Sequence, residues 1–156
     1  MLVGVLVTFL VIILVLYLIN MLPLDGRAKQ IARVVVIIIG ILAAIAIPVF
    51  LNMREGAWKS SVESDVKNAV ISIETATSGN NGKVNGLGPT TAQSATFAIT
   101  GPTGFSTTAK VVVSPDITIT LTFDSAAQTY TVAGSNTNVT GKTYTYSSAT
   151  GKGVWS

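Results

Sequence analysis

Val34 to Ala76 reads VVVIIIGILAAIAIPVFLNMREGAWKSSVESDVKNAVISIETA, and its two halves follow different rules. From Val34 to Leu51 every residue is apolar, a run of eighteen. That is the short end of a membrane span. Beyond it, Trp58, Val62, Val66, Ala69, Ile73 and Ala76 recur at spacings of four and three, which draws one stripe on a helix. Glu55/Lys59 and Glu63/Lys67 set an acid four residues before a base, and such pairs support an exposed helical face. Ser78-Gly79-Asn80-Asn81-Gly82 is a stop signal. The reading is one helix over 34–78, kinked at Pro48. Lipid or other apolar helices surround its first half. One face of its second half packs on a domain.

Upstream, Leu2 to Leu22 reads LVGVLVTFLVIILVLYLINML, with only Thr8, Tyr17 and Asn20 polar. A helix of that length is about 32 Å, enough for a hydrocarbon core of about 30 Å. A cleavable signal peptide would carry a basic start and a shorter apolar core. Pro23-Leu24-Asp25-Gly26 breaks the run with turn chemistry. The expected organisation is a first transmembrane helix over 1–24, a loop over 25–33, and the long helix, membrane-spanning to about 51. Arg27, Lys29 and Arg33 make that loop basic, so the positive-inside rule puts it in the cytoplasm and 52–156 outside.

Composition narrows the function. Charged residues are 11 % of the chain, where a soluble domain carries about 25 %. The chain has neither His nor Cys. Disulfides, thiolate nucleophiles, imidazole ligands and Ser–His catalysis are therefore excluded. The net charge of +3 sits mostly at Arg27, Lys29 and Arg33, so the basic balance is no nucleic-acid signal. The carboxylates beyond the second span are Glu55, Glu63, Asp65, Glu74, Asp116 and Asp124. Asp116 and Asp124 bracket one strand, about 27 Å apart and too far for a paired acid and base. The helix acids read as solvated partners of Lys59 and Lys67. No enzyme, cofactor or metal is expected. Asn138-Val139-Thr140 matches a glycosylation sequon, a short pattern that occurs often by chance.

After Gly79 the period changes. Residues 79–94 are rich in Gly, Asn, Thr and Pro and read as a long loop. Asp116–Asp124 alternates strictly: Ile117, Ile119, Leu121 and Phe123 face one way, and Thr118, Thr120 and Thr122 face the other. Gln128–Ala133 and Lys142–Ser147 repeat the alternation with Tyr and Val against Thr. These are half-buried antiparallel strands, with Ser125-Ala126-Ala127 as a hairpin loop. Ala95–Thr100 and Ala109–Val113 are further candidates. The sheet over 79–156 needs cover on its apolar face, and Trp58, Val62, Val66, Ala69 and Ile73 on the helix are its expected partner. The fold class is α+β.

Gly40-Ile41-Leu42-Ala43-Ala44-Ile45-Ala46-Ile47-Pro48-Val49-Phe50 resembles the N-terminal helix of type IV pilins and pseudopilins. Ala57-Trp58, Ser61–Glu74 and the closing Gly141-Lys142-Thr143-Tyr144-Thr145-Tyr146 are similar to Cys-free members of that group. The resemblance covers roughly 34–156. Upstream the chain departs from it. In the family's register Gly26 precedes the scissile bond and Arg27 starts the mature chain, but Ile31 stands where pilins carry a glutamate. Residues 5–42 instead resemble a small uncharacterised bacterial membrane protein with the motif P-L-D-G-x-x-K-Q-I.

What the pilin resemblance implies is a structural subunit in a cell-surface filament, for adhesion, motility, DNA uptake or secretion. Its partners are other subunits, the membrane, the pilus assembly machinery and the prepilin peptidase. Gly40, Ala43, Ala44, Ala46 and Pro48 mark the assembly helix. The alternative is a two-span protein that displays the domain without polymerising. An Arg27 start would set two positive charges beside an apolar bundle with no carboxylate to pair them, so most chains are expected to stay uncleaved.

Overall fold

The computed structural model describes residues 2–23, 25–105 and 108–156, with side chains from Leu6 onward. The chain divides into two compact units, Met1–Met53 and Arg54–Ser156. Helix α1 covers Leu2–Met21 and helix α2 covers Gly26–Gly79, with Pro48 inside it.

Helix α2 begins earlier than its apolar run. Residues 27–33, expected as loop, are its first turns. The Asp25 carbonyl accepts the Lys29 N–H at 3.1 Å, the first bond of the helix. Asp favours that capping position, and the Arg, Ala, Lys and Gln that follow are strong helix formers. At the other end the stop signal acts as read. Asn81 and Gly82 take positive φ, 55° and 75°, and the Gly82 N–H returns to the Thr77 carbonyl at 2.9 Å. Left-handed residues after the last turn close a helix in this way.

The second unit carries two antiparallel sheets. Strands β1 (Phe97–Ala98) and β2 (Lys110–Val111) form a small ladder. Strands β3 (Ile117–Asp124), β4 (Thr129–Asn136), β5 (Tyr144–Ser147) and β6 (Lys152–Trp155) form a meander in that order. β6 was not expected from the sequence. Its Lys-Gly-Val-Trp lacks the Thr alternation of the other strands, and only pairing with β5 makes it a strand. Ala95–Thr100 and Ala109–Val113 shrink to the short pair β1 and β2. The β3–β4 turn follows the expected hairpin: the Asp124 carboxylate accepts the Ala126 and Ala127 N–H groups at 2.9 and 3.0 Å.

The core lies between α2 and the four-stranded sheet. Val62, Val66, Ala69, Ile73 and Ala76 are fully buried, against Ile117, Ile119, Leu121 and Val132. The helix is not the sheet's only cover. Val84, Leu87, Ile99 and Val111, from the segment between α2 and β3, are buried in the same cluster. The long loop is therefore anchored by its own apolar residues. It also lines the free edge of β3, where Gln93 exchanges two backbone hydrogen bonds with Ile119, each 2.8 Å.

Candidate assembly surface

In the first unit, α1 and α2 lie side by side. On α1 the half-buried residues are Thr8, Ile12, Val15, Leu16 and Ile19; on α2 within this unit they are Lys29, Ala32, Val36, Gly40 and Ala43. Both sets follow the spacing of one helical face. A Cβ added at Gly40 would stand 3.0 Å from the Ile12 Cδ1, so the end of the Ile12 side chain would have to give by a few tenths of an ångström. A shallow groove of about 430 Å³ follows this seam, lined by Val11, Ile12, Val15, Ile39, Gly40 and Ala43 among others. At the turn end, the Asn20 carbonyl accepts the Lys29 ammonium at 3.2 Å, and its side-chain oxygen accepts the Arg33 guanidinium.

The residues expected to mark the assembly helix therefore divide. Gly40 and Ala43 are at the seam with α1. Ala44, Ala46 and Pro48 are exposed on other sides of the helix. Gly26 is the first residue of α2 and Arg27 the second, so the bond of the candidate cleavage site lies inside a helical turn.

The second unit holds its helix by polar contacts as well as by the apolar stripe. Asp65, only 4 % exposed, accepts the Ser114 N–H at 2.7 Å and the Ser114 hydroxyl at 3.1 Å. Glu63 accepts the Trp155 indole N–H at 2.9 Å. Glu74 accepts the Tyr130 hydroxyl. These three acids tie α2 to the segment before β3, to β6 and to β4. The reading of the helix acids as solvated fails for the buried Asp65; Glu63 keeps its Lys67 partner and Glu74 stays exposed, and both gain a sheet contact that tertiary packing sets. Burial, then the Glu74 carboxylate beside it, pushes the Tyr130 phenol well above its ordinary range. The two Lys pairs do form: Glu55–Lys59 at 2.6 Å and Glu63–Lys67 at 3.8 Å. Lys59 holds the exposed Glu55 carboxyl below its usual range, first by hydrogen bonding and then by charge.

Trp58 departs from expectation. It continues the stripe in sequence, yet it is only half-buried, and the Arg54 guanidinium sits 4.8 Å from its ring centre. The indole that packs on the core is Trp155, whose ring lies 5.3 Å from Tyr144 with the Lys59 ammonium 5.9 Å away. Tyr144 and Tyr146 also pack against the core, as their alternation with Thr implied. On β4, Gly134 faces the helix. A Cβ there would come 2.6 Å from Val66 Cγ2 and 3.0 Å from Val62 Cγ1. Neither Gly134 nor Trp155 is marked by periodicity, since both are revealed by what lies opposite them. Among the described residues, no group of three or more carboxylates could hold a metal ion.

A family model described as a membrane protein matches residues 1–47. This covers the stretch that carries the P-L-D-G motif, and it ends inside the apolar run of α2. No curated protein and no solved structure matches the chain. The 1–47 match and the long apolar helix place the chain among membrane-associated proteins.

Proposed function

We propose that the protein is a structural subunit of a type IV pilin-like filament, assembling through the apolar part of α2 and displaying the sheet domain outside the cell. The observation that carries this reading is α2 itself. One continuous helix begins with an apolar stretch exposed on most of its surface and ends with a stripe buried against a four-stranded antiparallel sheet. In water, exposed Ile37, Ile38, Ile41, Ile45 and Phe50 would be costly, so lipid or other subunits must surround them. The Gly40–Phe50 string is similar to pilin helices, which supports subunits as those neighbours. The basic turns at Arg27, Lys29 and Arg33 favour a cytoplasmic position for the start of α2 and an outer one for the sheet.

Crosslinking of the full chain in membranes tests this reading. Small residues let apolar helices approach closely where lipid removes the hydrophobic driving force. Replacing Ala43 and Ala44 together by Leu is expected to reduce crosslinked oligomers while the sheet domain stays folded. Unchanged crosslinking would make α2 a plain anchor.

A specific observation favours a second reading, the two-span protein that keeps its domain at the membrane without polymerising. α1 seats on α2 at Gly40, and the Gly26–Arg27 bond is helical. Ile31 also leaves the helix without the carboxylate that pilins use to pair a neighbour's amine. N-terminal sequencing of the membrane-extracted protein is expected to give mostly chains that keep α1. A single product starting at Arg27 would remove this reading.

A further inference from the structure

The apolar run of α2 is about 27 Å long, a few ångströms short of a hydrocarbon core of about 30 Å. Asn52 and Met53 therefore complete the span, and Arg54 stands at its edge. From there the headgroup layer extends only about 5–8 Å. Trp58 and Lys59 lie little more than one turn further along the same helix. Helical side chains lean toward the N-terminal end, which here is the lipid side. The contacts show that lean. The Arg54 guanidinium lies 4.8 Å from the Trp58 ring centre, and the Lys59 ammonium 2.6 Å from the Glu55 Oε1.

The sheet brings a second indole to the same place. The Lys59 ammonium is 5.9 Å from the Trp155 ring centre, and Glu63 accepts the Trp155 N–H. Beside β6, Thr143 and Ser156 exchange backbone hydrogen bonds of 3.3 and 3.0 Å, which sets the exposed Lys142 next to Trp155. Lys59, by hydrogen bond and charge, and then Lys142, by charge, hold the Glu55 carboxyl below its usual range. The chain has two tryptophans, and both are at this end of the second unit. The acids there have partners within the unit: Glu55 has Lys59, Glu63 has Lys67 and Trp155, and Asp116 has Asn138 at 3.3 Å. Tryptophan settles at headgroup depth, and Lys and Arg stems reach the phosphates from apolar ground.

We propose that Arg54, Trp58, Lys59, Lys142 and Trp155 form a collar that docks the second unit on the phospholipid headgroup layer. Its cations meet lipid phosphates, and its indoles lie where hydrocarbon gives way to water. The collar continues the lipid-facing surface of α2 along one unbroken helix. Docking holds the sheet against the bilayer instead of leaving it to swing on α2. The inference rests on the membrane association of the chain, not on the subunit reading.

Each indole can be read alone by replacing the other. Full-length Trp58→Phe, which keeps Trp155, is reconstituted in vesicles of phosphatidylcholine and phosphatidylglycerol. The lipids carry either a nitroxide on the headgroup or bromine in the middle of the acyl chain. Trp155 is the deciding probe, because α2 by itself would carry Trp58 into the headgroups. Its emission is expected to be lost to the headgroup nitroxide and kept with the chain bromine. Adding Lys142→Glu is expected to lessen that loss while the denaturation curve of the chain stays as it was. Trp155 emission untouched by the headgroup nitroxide would overturn the collar, and so would a loss that Lys142→Glu leaves unchanged. Either result leaves the subunit reading standing.

Discussion

At Gly134 the helix leaves no room on the sheet for a side chain. The Val66 and Val62 methyl groups occupy the space that any larger residue would need. Overpacking a filled core costs about 1–3 kcal/mol. Gly134→Ala is expected to lower the unfolding free energy of the full chain in detergent by that amount and so lower its denaturation midpoint, and an unchanged midpoint would mean the helix can lift away at no cost. Tyr130 makes a pH prediction. Its phenol is raised in the folded state, while in the unfolded chain it ionises near its ordinary value of 10.0. Above that value the unfolded chain releases a proton that the folded chain keeps, so stability falls as pH rises. Below it this group adds no pH dependence. Unfolding followed from pH 8 to pH 11 is expected to show a decline beginning at about 10 that Tyr130→Phe reduces. A decline of the same size in that variant would assign it to other groups.

At the scale of elements, the sequence was most legible where one period runs uninterrupted. The 62–76 stripe and the alternation of 117–123 both appear as read, because a helix face and a strand face bury what periodicity puts on them. It was less legible at ends. Residues 27–33 are charged and looked like a loop, but they are helix formers behind an Asp cap. Trp58 lies one step before the buried stripe begins and is only half-buried, with the Arg54 guanidinium over its ring, so its periodicity pointed at a burial it does not have. β6 owes its existence to β5, and nothing in Lys-Gly-Val-Trp announces a strand. Asp65 and Glu74 could be seen as helix acids, but not as clamps, since Ser114 and Tyr130 are brought to them only by folding. The exchange between the two tryptophans can be measured. Trp155→Ala removes an indole that packs on Tyr144 and takes from Glu63 one of its two partners, leaving Lys67, and is expected to cost about 2–3 kcal/mol. Trp58→Ala forfeits a contact with Arg54 worth about 0.5–1 kcal/mol. Equal losses in the two variants' denaturation curves would return Trp58 to the core.

At the scale of the whole molecule, each of the two units has its own source of stability. Arg54–Ser156 has a packed core, two acid-to-sheet contacts and a third from Asp65 to the segment before β3. Met1–Met53 has long apolar surfaces and one seam between its helices. On the proposed reading, the second unit is displayed and the first holds it in a membrane or a filament. Gly40 and Ala43 are at the seam with α1. On the proposed subunit reading, a chain that keeps α1 and carries Ile31 in place of a carboxylate should give filaments that are sparse against a larger membrane pool. The most direct measurement is immunogold electron microscopy of sheared surface material, using antibodies against the sheet domain, in cells that express the full chain with a pilus assembly machinery. The account predicts labelled filaments, few relative to the label on membranes. Label confined to membranes, with filaments bare, would contradict it.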